Sequence, residues 1–77
     1  MNAEDAILAV LARRAAGATA CPSEAARYLT GPQGDWRAQR DTVHSAVDAL
    51  VQAGAITLSW KGVPMQKRRG PYRIARR

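Results

Sequence analysis

Helices in the first two thirds of the chain and strands in the last third predict an α+β fold. Apolar residues recur at helical spacing as far as Leu50 and Val51. After Gly54 the period falls to two, with Ile56, Leu58 and Trp60 alternating with Thr57 and Ser59. Each apolar run is also bounded by residues that start or stop a helix.

Length sets the scale. The 77 residues form one domain, residues 1–77. A chain this small buries roughly 60% of its unfolded surface, and such a core supplies only about 3–5 kcal/mol, so a homodimer is a natural supplement. The hydrophobic share of 47% is swollen by alanine, which favours helix but fills little volume. Tight helix packing is expected in place of a ligand cavity.

Asn2 with Asp5 three positions later forms a helix start, and Ile7, Leu8, Val10 and Leu11 make an apolar stripe ending near Arg13, Arg14 and Gly17. Helix one is expected over about residues 3 to 15, with acids at its positive end and arginines at its negative end. Cys21-Pro22-Ser23-Glu24 starts a second helix, because proline suits the first turn and Glu24 can return to a free amide. It should run to Tyr28 or Leu29, where Thr30-Gly31-Pro32-Gln33-Gly34 breaks it. Asp35 precedes a third and longest helix, whose stripe is Trp36, Val43, Val47, Leu50 and Val51 and whose terminator is Gly54. Ile56 to Trp60 is a half-buried strand. Lys61-Gly62 makes a tight turn into Val63 and Met65, Gln66 to Pro71 a loop, and Tyr72 with Ile74 a last short strand.

Three helices followed by a β-hairpin wing is the order of parts in a winged helix-turn-helix. Cys21-Pro22-Ser23-Glu24-Ala25-Ala26, Asp35-Trp36-Arg37, Val47 to Ile56, Lys61-Gly62-Val63-Pro64 and Arg69-Gly70-Pro71-Tyr72-Arg73 resemble, in that order, an uncharacterised bacterial domain family, a domain of unknown function. The resemblance spans almost the whole chain. It implies a winged-helix fold and carries no activity with it.

Charge is the main pointer to a partner. Residues 1 to 60 hold five arginines against six acids, a balance of −1, whereas residues 61 to 77 hold seven cations and no acid, +7. A near-neutral body with a cationic wing and tail suits a polyanion. Helix three is a poor sequence reader, since opposite its apolar stripe lie Ala38, Asp41, Ser45, Asp48 and Gln52, and the two carboxylates would repel phosphate. Lys67, Arg68 and Arg69 beside Gly70-Pro71, with Lys61 at the preceding turn, Arg73 beyond and Arg37 at the helix flank, are better placed as phosphate contacts. Nucleic-acid binding of low specificity is the leading expectation. The alternative is a protein-interaction or dimerisation module that uses the Asp41, Ser45, Asp48, Gln52 face or an apolar wing edge.

Other classes are not expected. Cys21 is the only cysteine and has no ligand neighbour at metal spacing; a reducing cytoplasm suits it. No nucleophile-base pair, metal cluster or phosphate cradle is evident, because Gly31-Pro32-Gln33-Gly34 lacks the lysine and hydroxyl of such loops. Neither an enzyme nor a cofactor is expected. The apolar run Ala6 to Ala12 is too short for a membrane span, no targeting segment is visible, and no basic amphipathic helix favours a membrane surface. Trp36 and Tyr72 are expected in the core, His44 half-exposed without partners, and Arg40 near the apolar face.

Overall fold

The computed structural model describes all 77 residues. Three α-helices, α1 (Ala3–Ala12), α2 (Pro22–Thr30) and α3 (Arg40–Gln52), precede three strands, β1 (Ile56–Trp60), β2 (Val63–Met65) and β3 (Arg73–Arg76). The strands form an antiparallel sheet in the order β2-β1-β3. The expected α+β class holds, in a winged-helix-like arrangement.

Local chemistry accounts for most boundaries. The Asp5 amide donates to Asn2 Oδ1 at 2.8 Å while the Asn2 amide donates to Asp5 Oδ2 at 3.3 Å, a reciprocal cap that starts α1. The helix ends at Ala12, three residues earlier than expected, because Arg13 is the C-cap and the chain then turns. The Cys21 amide donates to Glu24 Oε2 at 2.7 Å and starts α2. Asp35 caps through the Ala38 amide, but Trp36–Gln39 form a 3-10 turn, and the α-helix proper begins only at Arg40. At the far end of α3 the Gly54 amide donates to the Val51 carbonyl and the Ala55 amide to Leu50. Those two bonds are a Schellman closure, which needs the left-handed φ of 76° that Gly54 adopts.

Lys61 and Gly62 join β1 to β2 with φ values of 52° and 82°. Positive φ at both central positions is the two-residue hairpin turn whose twist matches that of its strands. Trp60 then faces Val63 across the pair, and on the other edge of β1 Ile56 faces Arg76 and Ser59 faces Arg73. A further pairing was not legible: Ala20, between α1 and α2, exchanges backbone hydrogen bonds of 2.8 and 2.9 Å with Ile74. A single residue has no period, so only the tertiary fold makes it part of the sheet.

Ile7 and Leu11 of α1, Val43 and Val47 of α3, and Ile56 and Ile74 of the sheet are fully buried and form the centre of the core. Trp60 breaks the strand alternation, being 39% exposed, because β1 runs past the edge of the core into the hairpin. Leu8 and Trp36 were expected in apolar stripes; Leu8 is exposed and Trp36 is only half-buried. No buried residue is charged. Every cation therefore reaches the surface, and its direction is what matters for a site.

Candidate nucleic-acid interface

β2 and β3 flank β1 on opposite edges, so residues 66–72 must pass from one side of β1 to the other. They do so beside α3. Arg68 Nε bonds Asp48 Oδ1 at 2.8 Å, and the Tyr72 hydroxyl lies 2.6 Å from His44 Nδ1. His44 and Asp48 are one helical turn apart, so the loop is strapped along one ridge of α3. A cationic segment and a helix face, separate in the sequence reading, thus become one surface.

The expected contact residues divide into free and engaged. Lys67 and Arg69 are exposed on the strap, and neither forms an ion pair. Lys61 is exposed at the hairpin tip, its Nζ 5.9 Å from the centre of the Trp60 ring. Arg37 is exposed with its guanidinium 4.5 Å over Trp36. Arg68 is tied to Asp48, which raises its pKa chiefly through that hydrogen bond. Arg73 is half-buried and bonds the Thr19 hydroxyl at 2.9 Å and the Thr19 carbonyl at 3.3 Å. It fastens the α1–α2 connection to β3. Arg76 reaches the Arg14 carbonyl at 3.1 Å in the same manner. The basic end is therefore part clamp and part open surface.

The carboxylates of α3 differ as well. Asp48 is neutralised by the strap, whereas Asp41 is exposed and has no ion pair. The remaining objection to α3 as a phosphate-facing helix rests on Asp41 alone, one turn from Arg37 and next to Arg40.

Between the first turn of α2, α3 and the wing lies an open groove of about 300 Å³, walled by Trp36, Val43, Trp60, Pro71 and Tyr72 with Arg40 at its side. His44 and Tyr72 meet there. Burial lowers the His44 pKa, and the nearby Arg68 lowers it further, while burial pushes the Tyr72 hydroxyl up to about 12. The contact therefore joins a neutral imidazole to a protonated phenol, and the tautomer of His44 decides which of the two donates. His44 was expected to stand alone; a partner 28 positions away is invisible to local pattern.

Sequence reasoning also missed the surroundings of Trp36. Both Arg27 and Arg37 place a guanidinium 4.5 Å from its ring centre, and Arg13 lies 4.9 Å from that of Tyr28. A net charge of −1 over residues 1 to 60 concealed this, because the acids of that segment sit mostly at the start of α1 and on α3 while four of its five arginines lie elsewhere.

The arrangement offers anion contacts and an open groove. No group of three His, Cys, Asp or Glu side chains is placed to hold a metal ion, and no helix is long and apolar enough to cross a membrane. No curated protein matches the sequence. The resemblance drawn from its motifs is sustained along the full length: the family described as protein of unknown function (DUF3253) matches residues 1–77, and the chain belongs to it.

Proposed function

We propose that this protein is a winged-helix module of the bacterial cytoplasm that binds nucleic acid with little sequence preference, and that it is not an enzyme. The carrying observation is the strap, which sets Lys67 and Arg69 beside α3 while Arg68 cancels Asp48. Lys61 at the hairpin tip and Arg37 in the turn before α3 are further exposed cations. Phosphate contact from flexible cations gives affinity without base readout.

Four exposed cations, Lys61, Lys67, Arg69 and Arg37, meeting one phosphate each give a slope of log affinity against log salt of about −3.5 on duplex DNA. Titration of a labelled duplex at two salt concentrations measures it. A triple change of Lys61, Lys67 and Arg69 to alanine should reduce the slope by about 3; binding that ignores both salt and these substitutions overturns the reading. Asp48→Asn should tighten binding several-fold, because it removes a carboxylate and releases Arg68 together.

A second reading has its own observation. Trp60 and Val63, cross-strand partners at the wing edge, are 39% and 64% exposed beside the apolar groove, which suits docking of a protein or a second copy. Sedimentation of the wild type and of Val63→Lys distinguishes it: a dimer abolished by the substitution supports this reading, and a monomer at every concentration removes the homodimer.

A further inference from the structure

We infer that the cleft between α1 and α2, beside Arg27 and Trp36, is a binding site for a phosphoryl oxyanion. It has a volume of about 510 Å³ and is lined by Arg13, Arg14, Arg27, Glu24, Tyr28 and Trp36 among others. The inference does not rest on the nucleic-acid reading, since none of these residues belongs to the wing or strap.

Two of the three guanidiniums are held in place without being neutralised. Arg13 lies over Tyr28 at 4.9 Å and Arg27 over Trp36 at 4.5 Å, and neither has a carboxylate partner, as the ion pairs of the protein are Arg14–Glu24 and Arg68–Asp48. Stacking on a ring fixes the plane of a guanidinium while leaving the N–H groups at its edge free. Arg14 is fixed differently, through Glu24, which is itself anchored by the Cys21 amide. Its Nε–H is shielded from solvent and has no acceptor in the protein, so it is committed to no internal bond and its signal reports on changes around the guanidinium.

The arginines also lie near helix C-termini, where one cation per helix would serve only to offset the dipole. Each terminus carries about half a negative charge. Three guanidiniums against Glu24 and two helix ends leave a surplus of about one positive charge, so dipole compensation does not exhaust them. One carboxylate is satisfied by one forked arginine. Three separate donors around a cleft suit an anion with three or four acceptor oxygens, and the apolar wall of Val10, Pro32 and Trp36 leaves room for an organic substituent.

The probe is inorganic pyrophosphate, added to the whole protein with chloride at matched ionic strength as control. The readout is the ¹⁵N-arginine Nε–H spectrum. A saturable shift of the Arg14 signal below about 10 mM is expected, weakened tenfold or more by Arg13→Gln or Arg27→Gln and unchanged by Lys67→Ala with Arg69→Ala. No saturable shift overturns the inference, as does a shift that follows the wing substitutions and ignores the cleft ones. Repeating the arginine substitutions with a DNA duplex identifies the source of the phosphate. Duplex affinity retained while pyrophosphate binding is lost assigns the cleft to a free phosphate compound; joint loss assigns it to the nucleic-acid backbone. A protein that binds pyrophosphate but no duplex keeps this site and loses the proposed function, so the two fail separately.

Discussion

Tyr72 and His44 meet where burial holds the imidazole neutral and the phenol protonated, and the cost of parting them is readable. The hydroxyl and Nδ1 lie 2.6 Å apart, a bond worth about 1 kcal/mol net. Tyr72→Phe keeps the buried ring, so it should cost about that amount in urea denaturation and move the His44 pKa, upward where the hydroxyl is the donor and downward where Nδ1–H is. An NMR titration of the His44 ring protons checks the second outcome. Lys61 is the only non-glycine residue with positive φ, at 52°, in a turn that prefers asparagine at that place. Lys61→Asn should therefore raise stability by about 0.5–1 kcal/mol, seen as a higher Tm, while removing one proposed phosphate contact. Gly34 is constrained by space: a Cβ there would come within 2.6 Å of the Thr30 carbonyl oxygen. Backbone must move to admit it, so Gly34→Ala should lower stability by about 1–3 kcal/mol, with the loss visible as a lower urea midpoint.

At the scale of elements, the range of an interaction decides whether the sequence discloses it. The caps of α1 and α2, the Gly54 stop and the Lys61-Gly62 turn all depend on residues within five positions of one another, and each was legible. Gly54→Ala tests that understanding: forcing a Cβ into φ 76° should cost about 1–2 kcal/mol and leave the boundary of α3 frayed by hydrogen exchange. The misplaced features share the opposite property. Ala20 joins the sheet only because β3 returns to it from residue 74, and the strap meets α3 only because β2 and β3 lie on opposite edges of β1. Arg73 illustrates the consequence for a site. Its charge in a basic run reads as a phosphate contact, yet 54 positions away Thr19 supplies a hydroxyl and a carbonyl that make it a fastener. Charge density along a chain tells how many cations there are, and packing decides which remain free.

Over the whole molecule, His44, Glu24 and Tyr72 bracket a range of pH in which the fold is most secure. Burial and Arg68 lower the His44 pKa below its ordinary 6.5, so the unfolded chain binds a proton more readily; stability is complete above 6.5 and declines as pH falls through the folded value. Glu24 responds in a lower window. Burial alone would raise its pKa, but the Cys21 amide and Arg14 outweigh that and hold it below 4.5; its contribution is lost as pH drops further. Tyr72 acts at the other end, where a folded pKa of about 12 against an ordinary 10.0 means that the unfolded chain ionises first and stability falls above 10. Urea midpoints across pH should accordingly form a plateau from about 6.5 to 10 with two steps on the acid side. His44→Gln should erase the step nearer neutrality and leave the lower one, whereas Glu24→Gln should erase the lower one. An acid limb that keeps both steps in His44→Gln would mean that the strap does not bury this imidazole. The contact that brings Lys67 and Arg69 beside the helix would then have to be sought elsewhere.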